Sequence, residues 1–293
     1  RSIGKTLLYK GQKISVQELN HHGFEGIDIA LFSAGSDRSR EFAPSAVKAG
    51  AVVIDNSSAF RMDSSVPLVV PEINPQAVHQ HKGIIANPNC TTIIMTVAVW
   101  PIHKINPVKQ IVVASYQAVS GAGTLALEEL KDQQRALVQD APVIKKIFSH
   151  QIVNNVFCHD SPMLENGYNQ EEMKLVLETQ KIFVDSSIQI SPTCVRVPVP
   201  RAHAEAIHLV CTEPVDLKKI RKILAEAPGI KIVDDPQKNY FPMPLDASGQ
   251  DAVLVGRIRA DLVSPNALSL FACGDQLLKG AALNAVQVAE LLL

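Results

Sequence analysis

Short β-rich runs that alternate with a helix-length segment are the feature that most constrains the fold of this chain. The runs lie at residues 27–32, 51–55 and 83–86. Between the first two, residues 38–49 have the length of a helix that Gly50 would end. This alternation predicts a parallel sheet with crossover helices. Ligands of such sheets gather at the carboxyl ends of the strands, which directs attention to the loops at 33–36 and 56–58.

After residue 90 the pattern changes to longer, amphipathic strands and helices. Predicted strands lie at 110–117, 188–199, 206–212, 253–259 and 268–273, and predicted helices at 125–139, 170–183 and 217–227. This mixture predicts an α+β domain around one mixed or antiparallel sheet. The last helix, 275–293, has one broad apolar face and is expected to pack back on the first domain.

Composition excludes several classes of function. The chain has 293 residues, 46% of them hydrophobic, and a net charge of −1, which suits a soluble protein of one large or two ordinary domains. The sequence contains no run of Lys and Arg residues, so we expect no basic surface that would bind nucleic acid or an anionic membrane. The longest apolar stretch, 91–102, is shorter than the ~18–20 residues that span a bilayer. The five cysteines form neither a Cys-x-x-Cys pair nor a zinc pattern, so we predict a reducing compartment and no metal site.

Cys90 lies where the turn 87–89 ends and the apolar run 93–100 begins. The run predicts a buried helix with Cys90 in its first turn, where free N–H groups and the helix dipole lower a thiol pKa. The same N–H groups could hold the oxyanion formed when the sulfur attacks a carbonyl. A buried structural cysteine is the alternative.

Two further segments carry candidate chemistry. Residues 120–126 formally satisfy the dinucleotide pattern Gly-x-Gly-x-x-Ala, but the polar residues 115–117 are unusual for the strand before it, so we favour an active-site loop. Arg196 and His203 place a carboxylate-binding cation and a titratable base on one proline-bounded stretch. Together with Cys90 they suggest a Cys/His catalytic pair. From spacing alone, the charged residues 171–174 indicate only a solvated helix face.

A set of motifs in the chain resembles those of the aspartate-semialdehyde dehydrogenases. They are Arg1-Ser2 with Gly4-Lys5, Phe32 to Gly35, Asp55 to Arg61, Val70 to Asn74, Asn87 to Thr92, Tyr116 to Gly123, Arg196 to Val199 with His203, and Lys279 to Ala282. The resemblance covers nearly the whole chain. Residues including Gly274-Asp275-Gln276 resemble plant or related photosynthetic versions. It implies an α/β fold: an incomplete Rossmann-type parallel-sheet domain at 1–89, completed by the C-terminal helix 274–293. The rest, 90–273, would be an α+β catalytic and dimerisation domain of the glyceraldehyde-phosphate-dehydrogenase-like type.

The resemblance also implies a reaction, namely NADP-dependent reductive dephosphorylation of L-aspartyl-4-phosphate to L-aspartate-4-semialdehyde, in lysine, threonine and methionine biosynthesis. Cys90 would form the thioester, His203 would be the acid/base and Gln117 would position the thioester. The implied substrate contacts are Arg196 for the α-carboxylate, Glu171 for the amino group, Arg61 and Lys174 for the phosphate, and Asn89 in the same pocket. The implied NADP contacts are Arg1, Ser2, Ser33, Ala34, Gly35, Ser120, Gly121 and Gln276.

The resemblance further implies a homodimer or homotetramer, located in the plastid stroma for a plant chain and in the cytoplasm otherwise. Two departures from the family pattern stand out. Nothing before Arg1 supplies the first strand and the Gly-rich turn that cradle the cofactor pyrophosphate, so we expect poor NADP binding and weak or no activity. Leu278 replaces an arginine that the family usually has, which puts one charge contact in doubt.

Three rival interpretations remain at this stage. Glyceraldehyde-phosphate dehydrogenase also has a Cys-Thr-Thr run, but the sequence contexts of Gln117, Arg196 and His203 differ. N-acetylglutamyl-phosphate reductase shares the thioester chemistry, but its cysteine typically lies in a Gly-Cys context, unlike Asn89-Cys90. A non-catalytic scaffold on a degenerate dehydrogenase fold is the alternative from another class of protein. Retention of the whole acyl-transfer set of side chains argues against the scaffold.

Overall fold

A three-stranded parallel sheet forms the first half of the architecture. In this computed structural model, which describes residues 3–293, an exposed antiparallel hairpin of β1 (Thr6–Tyr9) and β2 (Gln12–Ser15) comes first. The parallel sheet then has the order β3 (Ile29–Phe32), β4 (Val52–Asp55), β5 (Ile84–Ala86), with α1 (Ser36–Lys48) between the first two strands. The predicted parallel sheet is therefore confirmed, whereas the hairpin was not predicted. The proposed cofactor contacts of Arg1 and Ser2 lie outside the described residues.

A seven-stranded mixed sheet forms the second half. Its strands are β6 (Val108–Gln117), β7 (Phe157–Cys158), β8 (Gln189–Arg196), β9 (His203–Cys211), β10 (Ile230–Ile232), β11 (Val253–Ala260) and β12 (Ala267–Gly274). They lie in the order β10-β11-β12-β9-β6-β8-β7, and β6 pairs parallel with β8 but antiparallel with β9. The associated helices are α2 (Cys90–Ile105), α3 (Thr124–Val138), α4 (Gln170–Phe183), α5 (Leu217–Glu226) and α6 (Pro244–Ala247). The predicted α+β domain around one mixed sheet is confirmed.

The register of this sheet arranges its buried face in rows that run across the strands. The first row holds Arg196, Gln117, His203 and Gly274, the second Cys194, Ser115, Glu205 and Ala272, and the third Pro192, Val113, Ile207 and Leu270. Helix α2 packs on this face, and its buried Ile93, Ile94 and Met95 join the main apolar core with Val113, Ile207 and Leu270. The hydrophobic core therefore ends at two polar rows, of which the first lies nearest the start of α2.

The C-terminal segment differs from the single helix predicted over 275–293. A π-helix, Leu278–Ala282, precedes α7, Leu283–Glu290. The Asp275 carboxylate accepts the Leu277 N–H at 2.9 Å, and its carbonyl accepts the Gly280 N–H at 3.0 Å, so this turn is wound wider than an α-helix. Residues Ala285 and Val288 of α7 share a buried cluster with Ile54, Val69 and Ile85, so the helix does pack on the parallel sheet as predicted. Within residues 3–293, no helix combines the length and apolarity that crossing a membrane requires.

Candidate active site

Helix α2 begins at Cys90 because Asn89 caps it. The Asn89 Oδ1 accepts the backbone N–H groups of Thr91 at 3.0 Å and Thr92 at 3.3 Å, which would otherwise lack partners. The predicted place of Cys90 in the first turn of a buried helix is confirmed. The π-helix approaches closely from the other side, since a Cβ on Gly280 would lie 3.0 Å from the Cys90 Cβ.

His203 faces the Cys90 sulfur. The distance from Cys90 Sγ to His203 Nε2 is 3.4 Å, and the Ala118 N–H donates to His203 Nδ1 at 3.0 Å. Because Nδ1 is an acceptor, the hydrogen-bond pattern assigns the proton of the neutral ring to Nε2, which points at the sulfur. A Cβ on Gly121 would lie 3.1 Å from the His203 ring, so the glycine loop lets the backbone approach this residue.

The ionisation of the pair differs from the prediction. Burial, reinforced by the Glu171 carboxylate, raises the pKa of Cys90 to about 11, although Thr91, Arg61 and Lys174 act in the opposite direction. Burial, followed by the Arg196 charge, lowers the pKa of His203 to about 3. The expected lowering of the thiol pKa is therefore wrong, because burial outweighs the helix terminus. A neutral thiol faces a neutral imidazole at neutral pH.

Glu171 connects the cysteine turn to the sheet. Its Oε1 accepts from Asn89 Nδ2 at 2.9 Å and from Gln117 Nε2 at 3.3 Å, while its Oε2 pairs with Lys174 Nζ at 2.7 Å. Burial opposes ionisation of this carboxyl group, but Lys174 and His159 outweigh burial and lower its pKa to about 2. Glu171 is therefore an anion at neutral pH, in contact with three of the predicted site residues.

Gln117 is held by two groups on the cysteine side of the site. Its Nε2 donates to Thr91 Oγ1 at 2.9 Å, besides the longer contact with Glu171. The side chain is 2% exposed and lines the same cavity as Cys90. Its amide is therefore fixed on the side of the cavity that holds Cys90.

Arg196 has a buried guanidinium with unused hydrogen-bonding capacity. Its Nη1 donates to the Ala118 carbonyl at 3.3 Å and its Nη2 contacts His159 Nε2 at 2.7 Å, but its Nε has no partner. The side chain also lies over the Phe148 ring, 5.5 Å from its centroid. A buried, unpaired N–H donor on a cation is suited to an anionic group.

His159 is a site residue that the sequence reasoning missed. It lines the cavity beside Arg196 and lies close enough to Glu171 to influence its pKa. Burial in turn lowers the pKa of His159. It follows the two-residue strand β7 in an irregular segment that matches none of the recognised motifs, so no local signal pointed to it.

Arg61 is anchored from three directions. Its Nε donates to the Asn87 carbonyl at 2.9 Å, its Nη2 to the Asn56 carbonyl at 2.8 Å and its Nη1 to Glu178 Oε1 at 3.1 Å. Glu178 is the second site residue that was missed. Its spacing of seven residues from Glu171 on α4 places both on one helix face, which was the available signal.

One cavity of about 290 Å³ brings the predicted catalytic and substrate residues together. Its lining includes Arg61, Asn89, Cys90, Gln117, Glu171, Lys174, Arg196 and His203, together with Gly121 and Gln276. Ser120 is absent from the cavity lining, but its hydroxyl accepts from Nε2 of Gln276, which does line the cavity, at 2.6 Å.

The predicted residues Ser33, Ala34 and Gly35 lie apart from this cavity lining, on the exposed loop after β3. Ser36 Oγ contacts Ser58 Oγ at 3.0 Å, which joins this loop to the loop after β4. The two loops therefore meet at the carboxyl edge of the parallel sheet. Within residues 3–293, no group of three or more His, Cys, Asp or Glu side chains is arranged to hold a metal ion.

Comparison with known proteins finds relatives over the whole length of this chain. A family model described as "Semialdehyde dehydrogenase, dimerisation domain" matches residues 99–279, and one described as "Semialdehyde dehydrogenase, NAD binding domain" matches residues 2–81. The aspartate-semialdehyde dehydrogenase of Synechocystis sp. is 55% identical over 292 residues, which cover 100% of this chain and 86% of the relative.

A solved structure leads to the same family. The crystal structure of aspartate-semialdehyde dehydrogenase II from Vibrio cholerae superposes with a TM-score of 0.96 at 45% identity, covering 99% of this chain and 87% of that one. The same protein has also been solved complexed with ASA. This chain therefore belongs to the aspartate-semialdehyde dehydrogenase family.

Proposed function

We propose that this enzyme reduces L-aspartyl-4-phosphate to L-aspartate-4-semialdehyde through a thioester on Cys90, with NADP as the hydride carrier. The observation that carries the proposal is the convergence of a Cys90–His203 pair with cations and a carboxylate in one cavity. A thiol suits this chemistry because a thioester keeps the acyl group activated while hydride is exchanged.

The substrate head group would bind between Arg196 and Glu171. The unpartnered Nε of Arg196 and its adjacent Nη2 can donate two parallel hydrogen bonds to the α-carboxylate. The Glu171 carboxylate, ionised well below neutral pH, would receive the α-ammonium group. Asn89, held by Glu171, completes this end of the cavity.

Bond exchange would occur at the Cys90 sulfur. Sγ attacks the acyl carbon, the C–O bond to phosphate breaks with its electron pair on oxygen, and inorganic phosphate leaves beside Arg61 and Lys174. Because the thiol pKa is raised, the proton must leave sulfur as the C–S bond forms, and the departing phosphate is a base within the same cavity. The backbone N–H groups at the start of α2 favour negative charge at this end of the helix.

His203 would act through Nε2 alone. That nitrogen can donate to a thiolate or to the oxygen of the tetrahedral adduct, since Nδ1 is engaged by Ala118. Full protonation of the ring requires loss of the Ala118 contact, which is consistent with the low pKa of His203. Gln117, tied to Thr91, would hold the thioester carbonyl in place.

The residues at the carboxyl edge of the parallel sheet fit a nicotinamide cofactor. Helix α1 begins after Gly35 without a side-chain cap, and a Cβ on Gly35 would meet no atom within 4 Å, so a phosphate could approach the free N–H groups. We assign Ser33, Ala34 and Gly35 to cofactor binding at this edge of the sheet, and Ser120, Gly121 and Gln276 to the nicotinamide end. When bound, the cofactor supplies hydride to the thioester carbon. NADP rather than NAD is proposed because Arg1 and Ser2 match the family residues that read the ribose 2′-phosphate.

We further propose a division into a cofactor domain, 1–89 with 274–293, and a catalytic and dimerisation domain, 90–273. The face of the seven-stranded sheet opposite α2 would form a homodimer interface. It carries Val112 and Tyr116 on β6, which are 42% and 36% exposed, beside Phe271 of β12. Light scattering of the purified protein distinguishes a dimer from a monomer or a tetramer.

Trapping the thioester tests the proposed function. Incubation with aspartate semialdehyde and oxidised NADP in the absence of phosphate is expected to leave an aspartyl group on Cys90, detected by mass spectrometry of the peptide. Added phosphate should discharge it as the acyl phosphate. Acylation of another residue, or an unmodified Cys90 under conditions of measurable turnover, would contradict the mechanism.

A further inference from the structure

Glu178 holds two parts of the site at once. It is 2% exposed and lies on the same face of α4 as Glu171 and Lys174. Its Oε2 accepts the backbone N–H of Asn89 at 2.7 Å, and its Oε1 pairs with Arg61 Nη1 at 3.1 Å. One carboxylate therefore contacts both the residue before the nucleophile and one of the two cations assigned to phosphate.

The contact with Asn89 completes a three-point attachment of the cysteine turn. Glu178 holds the Asn89 N–H, Glu171 holds its Nδ2, and the N–H groups of Thr91 and Thr92 hold its Oδ1. A displacement of Glu178 would move the peptide that precedes Cys90, and small displacements of a nucleophile are costly in rate.

Glu178 affects Arg61 mainly through its charge and not by fixing its position. The guanidinium stays anchored to the Asn87 and Asn56 carbonyls even without Glu178. Of its five N–H donors, those contacts and the Glu178 pair use three, which leaves one hydrogen on each Nη for a ligand in the cavity that Arg61 lines.

Charges at the phosphate end of the cavity are balanced. Arg61 pairs with Glu178, and Lys174 pairs with Glu171 at 2.7 Å. Burial raises the pKa of Glu178, and the Arg61 charge opposes that effect. A phosphate anion therefore meets two cations that are already matched by two carboxylates.

We propose that Glu178 is a positioning residue with two separable effects: its hydrogen bond to Asn89 places Cys90, and its negative charge weakens the hold of Arg61 on phosphate. An enzyme that must release phosphate in every reductive cycle is slowed by a phosphate site of unmatched positive charge. The inference rests on the proposed function, because it takes phosphate as the leaving group.

Two variants separate the effects. In E178Q the side chain keeps its length and can still accept from Asn89 N–H, but the charge is gone. We expect the Kd for inorganic phosphate, measured by calorimetry, to fall on the order of tenfold. In the phosphorylating direction, kcat at saturating phosphate should fall less in E178Q than in E178D, because the glutamine can still accept the backbone N–H of Asn89 beside Cys90.

E178D keeps the charge but is one methylene shorter, so it cannot hold Asn89 and Arg61 at the same distances. We expect its phosphate Kd to stay within about twofold of wild type while kcat falls by about tenfold or more. A merely structural role for Glu178 would not produce these opposite patterns in Kd and kcat.

Glu172 provides the matched control on the same helix. It is also buried, and it accepts from the backbone N–H groups of Asn169 at 2.9 Å and Cys194 at 3.1 Å, outside the cavity lining. E172Q should lower the melting temperature without changing the phosphate Kd.

An E178Q protein whose phosphate Kd is unchanged or higher would overturn the inference, as would an E178D protein that tightens phosphate as much as E178Q does. If E178Q does not fold, E178D alone decides, since a change of its phosphate Kd beyond threefold is incompatible with the charge effect. Failure of the proposed function is seen separately, as wild-type protein that binds no phosphate or forms no Cys90 thioester.

Discussion

The first two rows of the seven-stranded sheet both contain buried polar side chains, but only the first row lines the cavity. Gln117, Arg196 and His203 of the first row line the cavity, whereas the second row, two residues deeper along each strand, contains Cys194 and Glu205. Glu205 is fully buried and neither of its oxygens has a partner, and burial raises its pKa well above the ordinary value. Burial likewise raises the pKa of Cys194. A thiol and an acid become a site only where a cavity, a helix start and fixed cations coincide.

The largest expected contrast is between Cys90, which faces His203 of the first row from helix α2, and Cys194, which lies in the second row. C90S should lower kcat by about 10⁴-fold or more, since an acyl-enzyme cannot form efficiently on the weaker nucleophile. C194S removes a thiol that faces the core beside Ser115 and should leave kcat within about threefold of wild type. Steady-state assays of both proteins check this, with circular dichroism to confirm folding. A C90S enzyme with near-normal turnover would mean that the sulfur is not the nucleophile.

The two titratable groups on β9 provide the second contrast. H203A should lower kcat by about 10²–10⁴-fold, the usual range for loss of an acid/base group. E205Q replaces a carboxyl group that burial holds in its neutral form by a neutral amide of the same shape, so kcat should be unchanged.

Stability measurements sharpen this second contrast. The folded pKa of Glu205 is raised, so its contribution to the free energy of unfolding is present below about pH 4.5, where the unfolded residue titrates, and is lost as the pH rises. The free energy of unfolding of E205Q, measured in urea, should therefore increase relative to that of wild type between pH 5 and pH 8. A decrease in the free energy of unfolding of E205Q relative to wild type over that interval would show that Glu205 is a stabilised anion.

A third prediction concerns Arg196, the cation of the first row. R196K keeps the charge but loses the planar fork, so KM for aspartate semialdehyde should rise by about 10–100-fold while kcat changes less. Arg201 offers a control because it lies near the same strand but pairs with Asp275, outside the cavity lining. R201K should leave KM unchanged. Equal effects of the two variants would argue against a carboxylate contact at Arg196.

Local sequence signals were sufficient for the two helices that carry Cys90, Glu171 and Lys174. The Asn89 cap and the apolar run after Cys90 fix the start of α2, and the Asn169–Glu172 capping box fixes the start of α4. The positions of Cys90, Glu171 and Lys174 on those helices follow from these starts. The roles of the same residues came from family resemblance, because spacing alone indicated only a solvated charge cluster at Glu171 and Lys174.

The rest depends on contacts between distant parts of the chain. Arg61 and Glu178 are 117 residues apart in sequence, and His159 meets Arg196 across 37 residues. The π-helix at 278–282 depends on Asp275 and on how closely Gly280 approaches Cys90. The thiol pKa was predicted with the wrong sign because the helix start is visible in the sequence, whereas the burial of Cys90 and its proximity to Glu171 are not.

The smallest expected effect tests directly whether the pKa of Cys90 is raised or lowered. With a pKa of about 11, Cys90 in wild-type protein should react with iodoacetamide at a rate that rises with pH from 7 to 10 without a plateau. E171Q removes the carboxylate that helps to raise this pKa, so its rate–pH curve should shift to lower pH and labelling at pH 8 should be several-fold faster. E172Q, which removes a neighbouring carboxylate that is absent from the cavity lining, should leave the curve in place. A plateau near pH 7 in the wild-type protein would show that the helix start and the cations outweigh burial after all, and that the pair rests as thiolate and imidazolium.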